Sequence, residues 1–544
     1  MTDLPKKQYA LQLVGSDELI LNKSKEVFRP GKEQILCKVE AVGLCFSDLK
    51  LLKQFSSHVR KSEIVSGIDL DVLKEIPSYV PGEAPTVPGH EAVVRIETVG
   101  PGVEDFKPGQ RYLVQTDYRW LRTITGSNAA FGYNIEGALQ EYVLMDKRVI
   151  TSPQGDSMLL HVTEELSSSA IALVEPWACV EDAYASTERT NIKTDGSMLI
   201  IADEDVTEDS LGDLFARYGK PAEMSWISKS QLSDTPEATY DDVIYFGSDA
   251  KVVEELLAKL GTKGLLNIVL CGGRFGTDVV TTVGRVHYGG IRIIGTTGSN
   301  PAESIETVPE TGEIRPGDKT NVVGAGGPMG LMHVIRNICH GVEGISIVGS
   351  DVDDNRLAKL TKIATPLAER NCIEYRSLNP TTEQSDQAYD YIVLMAPVPA
   401  LVAASVHQAA EKGLINIFAG IPATVTAEID LNAYIEKRLY FIGTSGSTLD
   451  DMKRMLGKVE SGRLDTNLSV AAICGLEGAT NGIRAVENHM IAGKIIVYPA
   501  CRGLGLVTLE ELKEKMPKVG ECLNNGLWTK KAEQKLLESF ACRA

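Results

Sequence analysis

No stretch of this 544-residue chain approaches the roughly 20 consecutive apolar residues that cross a bilayer. Residues 1–9 are polar and lack the apolar stretch of a signal peptide. Together these absences predict a cytoplasmic protein with no membrane partner. The 10 cysteines are spread singly, and none forms a CxxC pair. In a reducing compartment they read as free thiols, of which one or two at most have a chemical role. Positive charge is in short supply, with 55 Lys and Arg against 73 Asp and Glu and a net charge of −18. Such a chain repels nucleic acid and anionic lipid, so both are excluded as partners.

The chain is too long for one hydrophobic core, and two to four domains are expected. Its 43% hydrophobic and 24% charged residues are ordinary for a globular protein. Residues 1–190 read as β-rich. Short alternating apolar runs (Ile35 to Val42, Ala92 to Val99, Arg111 to Gln115, Gly137 to Leu144) are separated by Gly/Pro punctuation such as Val99-Gly-Pro-Gly-Val103. This predicts a small barrel or sandwich. Near Asp195 the texture changes to apolar strands alternating with helical segments, as in βαβ units.

Within that region the sequence repeats itself. Tyr240-Asp-Asp-Val-Ile244 resembles Tyr389-Asp-Tyr-Ile-Val393, and Lys263-Gly-Leu-Leu-Asn-Ile268 resembles Lys412-Gly-Leu-Ile-Asn-Ile417, both at an offset of 149. Ile294-Gly-Thr-Thr-Gly-Ser299 resembles Ile442-Gly-Thr-Ser-Gly-Ser447 at an offset of 148. Two tandem copies of one α/β unit are therefore expected, at 191–300 and 318–467, joined by a polar linker at 301–317. The β pattern returns at 468–499. Residues 500–544 read as a helical extension, with Thr508-Leu-Glu-Glu511 in the form of a capping box.

Asn321-Val-Val-Gly-Ala-Gly-Gly-Pro-Met-Gly-Leu331 runs from a strand through a glycine-rich turn into a helix. Gly324, Gly326, Gly327 and Gly330 would let the backbone approach a pyrophosphate. Pro328 and Met329 open the helix, whose free N–H groups favour the anion. A second strand, Ile345-Ser-Ile-Val348, leads to Asp351, placed to hydrogen-bond the adenosine ribose and to repel a 2′-phosphate. NAD is the cofactor expected. The first copy carries Ile201-Ala-Asp-Glu-Asp-Val206 at the equivalent turn, with three carboxylates and no glycine. Like charges there oppose a phosphate, so this copy is expected to pack structurally or shape the cleft.

Three segments of the first domain offer metal ligands: Cys45 in Gly43-Leu-Cys-Phe-Ser-Asp48, His90 and Glu91 in Pro88-Gly-His-Glu91, and Glu175 in Leu173-Val-Glu-Pro-Trp-Ala-Cys179. A thiolate, an imidazole and a carboxylate suit a tetrahedral zinc with one open position. Spacing alone leaves a packed cysteine and a turn histidine as alternatives.

In order along the chain, these segments, the Val99–Gly109 turns, the Gly324–Gly330 loop and Ile442-Gly-Thr-Ser-Gly446 resemble the medium-chain, zinc-containing alcohol and polyol dehydrogenases. Gln110-Arg-Tyr-Leu-Val-Gln115, Glu175-Pro-Trp-Ala-Cys-Val180 and Phe441-Ile-Gly-Thr-Ser-Gly446 resemble the L-sorbose-1-phosphate reductase branch. The resemblance implies a GroES-like catalytic domain at 1–190, completed by 468–499, with an NAD-binding Rossmann domain at 318–467 and a degenerate Rossmann-like copy at 191–300. It implies that Cys45, His90 and Glu175 ligate zinc. Glu91 would be a fourth or alternating ligand, or an orienting neighbour. Ser47 would pass the substrate's proton, and Asp48 would brace the site. The implied activity is hydride transfer between NAD(H) and a secondary alcohol or ketone of a polyol, sugar or sugar phosphate, in a homodimer or homotetramer.

The chain departs from the family pattern in an insert at about Ser56 to Thr86, in Val94 after the GHE motif, in the extra glycine of Gly326-Gly327, and in the duplicated α/β unit. Arg111 to Tyr142 contains no cysteine, so the four-cysteine structural zinc loop is absent and one zinc per chain is expected. Two alternatives stand beside the dehydrogenase reading: a redox-neutral, NAD-retaining epimerase-like enzyme, and a non-catalytic scaffold. Tyr118, Arg119, Trp120 and Asn134 either line a sugar pocket or pack as a loop. Arg60 and Lys61 read as a solvated basic loop or as a phosphate site, His58 as a surface histidine, and Cys179 as packing.

Overall fold

A computed structural model describes residues 4–203, 206–383, 385–444 and 446–541. Glu204 and Asp205 of the acidic turn, and Ser445 of the Ile442–Gly446 motif, lie outside the described residues. Backbone contacts divide the chain into two units, Met1–Ala178 with Thr448–Ala544, and Cys179–Ser447. Among the described residues, no helix is long and apolar enough to cross a membrane.

The first unit is built on an 8-stranded sheet. Its order is Leu159–His161, Arg111–Val114, Glu91–Val99, Gln34–Gly43, Lys494–Val497, Val470–Cys474 and Val507–Thr508, with Tyr142–Asp146 also paired to Gln34–Gly43. Gln34–Gly43 is central, and Lys38 is its one exposed residue. The return of β pattern at 468–499 has a clear cause: Ile496 pairs with Gly43 and Val497 with Val42. The late strands thus extend the sheet begun by the early ones. The C-terminal residues also belong to this unit. Glu533 accepts from the backbone N–H of Ser168 (2.6 Å) and Ser169 (2.9 Å), and Tyr498 donates to it at 2.9 Å.

The second unit holds both α/β copies. The first copy has five parallel strands in the order Glu223–Ile227, Ser197–Ala202, Tyr240–Phe246, Leu260–Val269, Arg292–Thr296. The second has six, in the order Glu374–Leu378, Ser346–Ser350, Lys319–Val323, Tyr389–Leu394, Ala409–Ile417, Tyr440–Ile442. The missing sixth strand explains why the first copy is shorter ahead of Tyr240. Backbone detail repeats as well. Lys263 and Lys412, one repeat apart, both adopt left-handed φ (60° and 58°). Their N–H groups donate to Gly289 O (2.8 Å) and Lys437 O (2.6 Å), again equivalent positions.

The copies share one apolar core and meet reciprocally. Val279–Thr281 pairs antiparallel with Ala427–Ile429. Helix Val283–Tyr288 packs on strands Ala409–Ile417 and Tyr440–Ile442, while helix Leu431–Glu436 packs on strand Arg292–Thr296. Phe275 N–H donates to Asn432 Oδ1 at 2.9 Å, Asn432 Nδ2 returns to Phe275 O at 3.1 Å, and Tyr434 Oη donates to Ile293 O at 2.8 Å. Equivalent elements facing one another in this way form an isologous pair inside a single chain. The segment read as a linker is packed rather than extended: it carries the helix Ala302–Ile305, and Glu313 accepts from Arg336 at 2.6 Å.

Candidate active site

Cys45 caps the helix Phe46–Gln54, and its extended backbone (φ −123°, ψ 156°) turns the chain out of the strand Gln34–Gly43. The same turn closes through Asp48, whose Oδ2 accepts from Cys45 N–H at 3.0 Å. Asp48 Oδ1 meets His90 Nδ1 at 3.2 Å. The other ring nitrogen, Nε2, lies 3.0 Å from Ser47 Oγ. Glu91 opens the next strand directly opposite Gly43. A Cβ at Gly43 would lie 2.0 Å from Glu91 Oε2, so only glycine leaves the carboxylate its place. One ligand atom from each of Cys45, His90 and Glu91 lies within 4.8 Å of the others.

Glu175, near the start of helix Val174–Ala185, lies outside that closest group but within electrostatic reach of it. Burial and the Glu91 carboxylate raise its pKa to about 7, against the pull of His90, Lys494 and Arg60. Burial disfavours the charged form of His90, but the Asp48 carboxylate and Tyr133 outweigh it and hold its pKa well above the usual histidine value.

Two residues of the site escaped the sequence reading. Lys494, buried at the start of its strand, donates to Glu91 Oε1 at 2.5 Å and to Leu44 O at 2.8 Å. Burial opposes its charge, yet Glu91 and Cys45 keep its pKa above the ordinary lysine value. A lysine heading an otherwise apolar strand was the available signal. Tyr133 is buried, hydrogen-bonds Ser47, and lies with its ring centroid 5.9 Å from His90 and 5.0 Å from His58.

The insert residues differ from their sequence reading. Lys61 is fully buried, and its Nζ donates to the carbonyls of Val80 and Ala84, so it is neither solvated nor placed for a ligand. His58 is half-buried against Tyr133. Asn134 braces a turn through Ala130 N–H (3.0 Å) and Ser62 O (3.0 Å), and Tyr118 is wholly buried, which favours the packing reading for both.

In the second unit, strand Lys319–Val323 leads through Gly324–Gly327 into helix Pro328–His340. Gly324 has φ +86°, which favours glycine. A Cβ at Gly330 would fall 2.4 Å from Gly324 O, so glycine lets the helix press on the turn. Gly327, the helix N-cap, has no such crowding, its nearest neighbour being 3.6 Å away. Pro328 and Met329 form the first helical positions, and no side chain caps them. Asp351 follows strand Ser346–Ser350 as expected. Its Oδ2 accepts from Gly326 N–H at 2.9 Å, tying the extra glycine of the loop to the end of the second strand. The glycines let the loop turn tightly into a helix N-terminus that no side chain caps, an arrangement suited to an anion such as a pyrophosphate.

Residues 31–154 match the alcohol dehydrogenase GroES-like domain. The chain is 26% identical over 248 residues to mannitol-1-phosphate 5-dehydrogenase of Aliivibrio fischeri, covering 42% of this chain and 58% of that protein. It is 25% identical over 233 residues to L-sorbose 1-phosphate reductase of Klebsiella pneumoniae, covering 41% and 56%. The matched stretch thus spans little more than half the length of these relatives. The fold resembles that of 2R,3R-butanediol dehydrogenase from Bacillus subtilis, with a TM-score of 0.53, 15% identity, and coverage of 91% of this chain and 100% of that one. By its GroES-like domain and its Rossmann-like sheets the chain has the fold of the medium-chain dehydrogenases, and over the matched stretch it is similar to polyol- and sugar-phosphate members of that family.

Proposed function

We propose that this chain is a zinc-dependent oxidoreductase that exchanges a hydride between NAD(H) and a secondary alcohol or ketone of a polyol, sugar or sugar phosphate. The observation that carries this reading is Glu91 Oε2. It is buried, has no hydrogen-bond partner, and belongs to the carboxylate grouped with Cys45 and His90. An unpaired buried carboxylate oxygen is costly, and a cation beside it removes the cost. A thiolate, an imidazole and carboxylates are a donor set suited to zinc. Cys45, His90 and Glu91 would hold the ion, with Glu175 as a further or alternating ligand. Bound zinc supplies Lewis-acid polarisation of the substrate oxygen.

The chain's own residues do the rest. Asp48 fixes the His90 ring. Lys494 holds Glu91 in place. The Ser47 hydroxyl, between His90 Nε2 and Tyr133, accepts the proton of the substrate hydroxyl and passes it on. The 324–330 loop seats the dinucleotide pyrophosphate, and the Asp351 carboxylate favours NAD over NADP. The polyol-phosphate and sugar-phosphate activities named for the relatives support the substrate class.

The test is absorbance at 340 nm with a panel of polyols, ketoses and their phosphates, with and without a zinc chelator. Chelator-sensitive turnover with NAD(H) supports the proposal. Turnover that ignores the chelator, in protein shown to lose its metal, overturns the zinc assignment. No turnover in protein that binds neither zinc nor NAD overturns the enzyme reading.

A further inference from the structure

The insert that sets this chain apart from its family does not stand off into solvent. Its short 3-10 turn Val59–Lys61 is pinned from both sides. Lys61 is buried beneath it on two carbonyls, and Arg60 N–H donates to His58 Nδ1 at 3.2 Å. The Arg60 backbone is therefore fixed, while its side chain keeps 33% of its surface exposed. The guanidinium carbon lies 5.7 Å from the centroid of the Tyr133 ring. That same ring neighbours His90 at 5.9 Å. One aromatic residue thus separates a partly exposed guanidinium from the candidate metal centre. The charge of Arg60 is felt at both Glu175 and Tyr133.

Arg60 is not committed to neutralising an acid. Its ion pair with Asp117 is long, at 3.7 Å, and Asp117 is held separately by Arg119 at 3.0 Å. His58, also packed against the Tyr133 ring, accepts a hydrogen bond on Nδ1, so its proton resides on Nε2 as a donor. Burial and the nearby Arg60 and Lys50 charges keep this imidazole neutral, with its pKa lowered to about 4. A planar guanidinium fork beside a neutral N–H donor is well matched to a phosphoryl group.

We infer that Arg60, with His58 Nε2–H beside it, receives the phosphate of a phosphorylated polyol or ketose whose reacting carbon lies at the Cys45–His90–Glu91 centre. This rests on the dehydrogenase reading above and narrows its substrate to phosphate esters. The insert, absent from the usual family pattern, is then a specificity element rather than a surface loop.

The test uses the full-length, metal-loaded protein with a hexitol phosphate and the matching hexitol as probes. Calorimetric binding and kcat/KM are measured for the wild type, Arg60→Gln and Arg60→Lys. Arg60→Gln should weaken phosphate-ester binding by roughly 10- to 100-fold, the loss expected for a charge-assisted pair. The ester-to-hexitol ratio of kcat/KM should fall by the same factor. Arg60→Lys should recover part of it, because it keeps the charge and loses the fork. A wild type that binds no ester, or a ratio that Arg60→Gln leaves in place, overturns the inference. Turnover of the hexitol in either case leaves the dehydrogenase reading standing. Conversely, Arg60-dependent ester binding with no turnover of either probe upholds the phosphate site and counts against the dehydrogenase reading.

Discussion

Replacing Lys494 with Met should leave the Glu91 carboxylate buried without its counter-charge. Both side chains are almost wholly enclosed, with side-chain exposures of 5% and 0%. Breaking a buried pair by removing one partner costs about 3 to 5 kcal/mol, because the remaining charge stays desolvated. The change also leaves Leu44 O without its donor. In urea, with a slope of about 3 kcal/mol per molar, the midpoint of the first unit should fall by about 1 to 1.7 M. Trp120, Trp177 and Trp528 all belong to this unit, and the last two are buried, so tryptophan emission reports its unfolding. The metal-free protein is the form to use, since a bound cation would partly stand in for the lost charge. A second substitution, Glu91→Gln, in the Lys494→Met background removes the stranded charge and should recover more than half of the loss. A fall below about 1 kcal/mol for the single variant would refute the reasoning, given that pairs exposed to solvent cost no more than this. So would a double variant no more stable than the single.

Gly330→Ala should weaken NADH binding tenfold or more and lower the stability of the second unit by about 1 to 3 kcal/mol, since its Cβ meets Gly324 O at 2.4 Å. Gly327→Ala, with open space around it, should change both far less; fluorescence quenching titrations compare the two. His333 is wholly buried, and desolvation and the Arg336 charge lower its pKa to about 3. The unfolded chain binds a proton near pH 6.5 that the folded chain refuses. The second unit should therefore hold its stability above that pH and lose it progressively as pH falls from 6.5 towards 3. In a series of urea melts, His333→Gln should flatten this slope. Glu533→Ala deprives Ser168 N–H, Ser169 N–H and Tyr498 Oη of their acceptor, and should lower the stability of the first unit in urea melts by about 1 to 3 kcal/mol.

Much of this was legible in the residues. The duplication showed at a fixed offset because each copy kept the same strand ends and turns. The glycines of the 324–330 loop showed because tight turns and close helix approach restrict the choice of residue. Cys45, His90 and Glu91 showed through local motifs on neighbouring strands. Lys494 did not, because its partner is 403 residues away and only the closing of the sheet brings them together. Tyr133 did not show either, since a ring's neighbours across a loop leave no periodic trace. Lys61 was misread for a physical reason: lysine is rarely buried, and the two carbonyls that receive its charge come from a turn about 20 residues away. The reciprocal packing of the two copies was also hidden, because an alternating strand pattern gives the face that is covered, not what covers it.

That reciprocal packing changes how the cofactor domain keeps its company. Two separate subunits meeting through such a seam would part on dilution. Here the chain itself joins the two halves, so their encounter is intramolecular, at an effective concentration that dilution does not lower. The first copy then needs only its seam residues, such as Phe275 and helix Val283–Tyr288, to serve its neighbour. Its own phosphate turn carries no obligation to a nucleotide. Acidic residues can accumulate there at no cost to the neighbouring site, because a built-in companion is chosen for its shape and not for its chemistry.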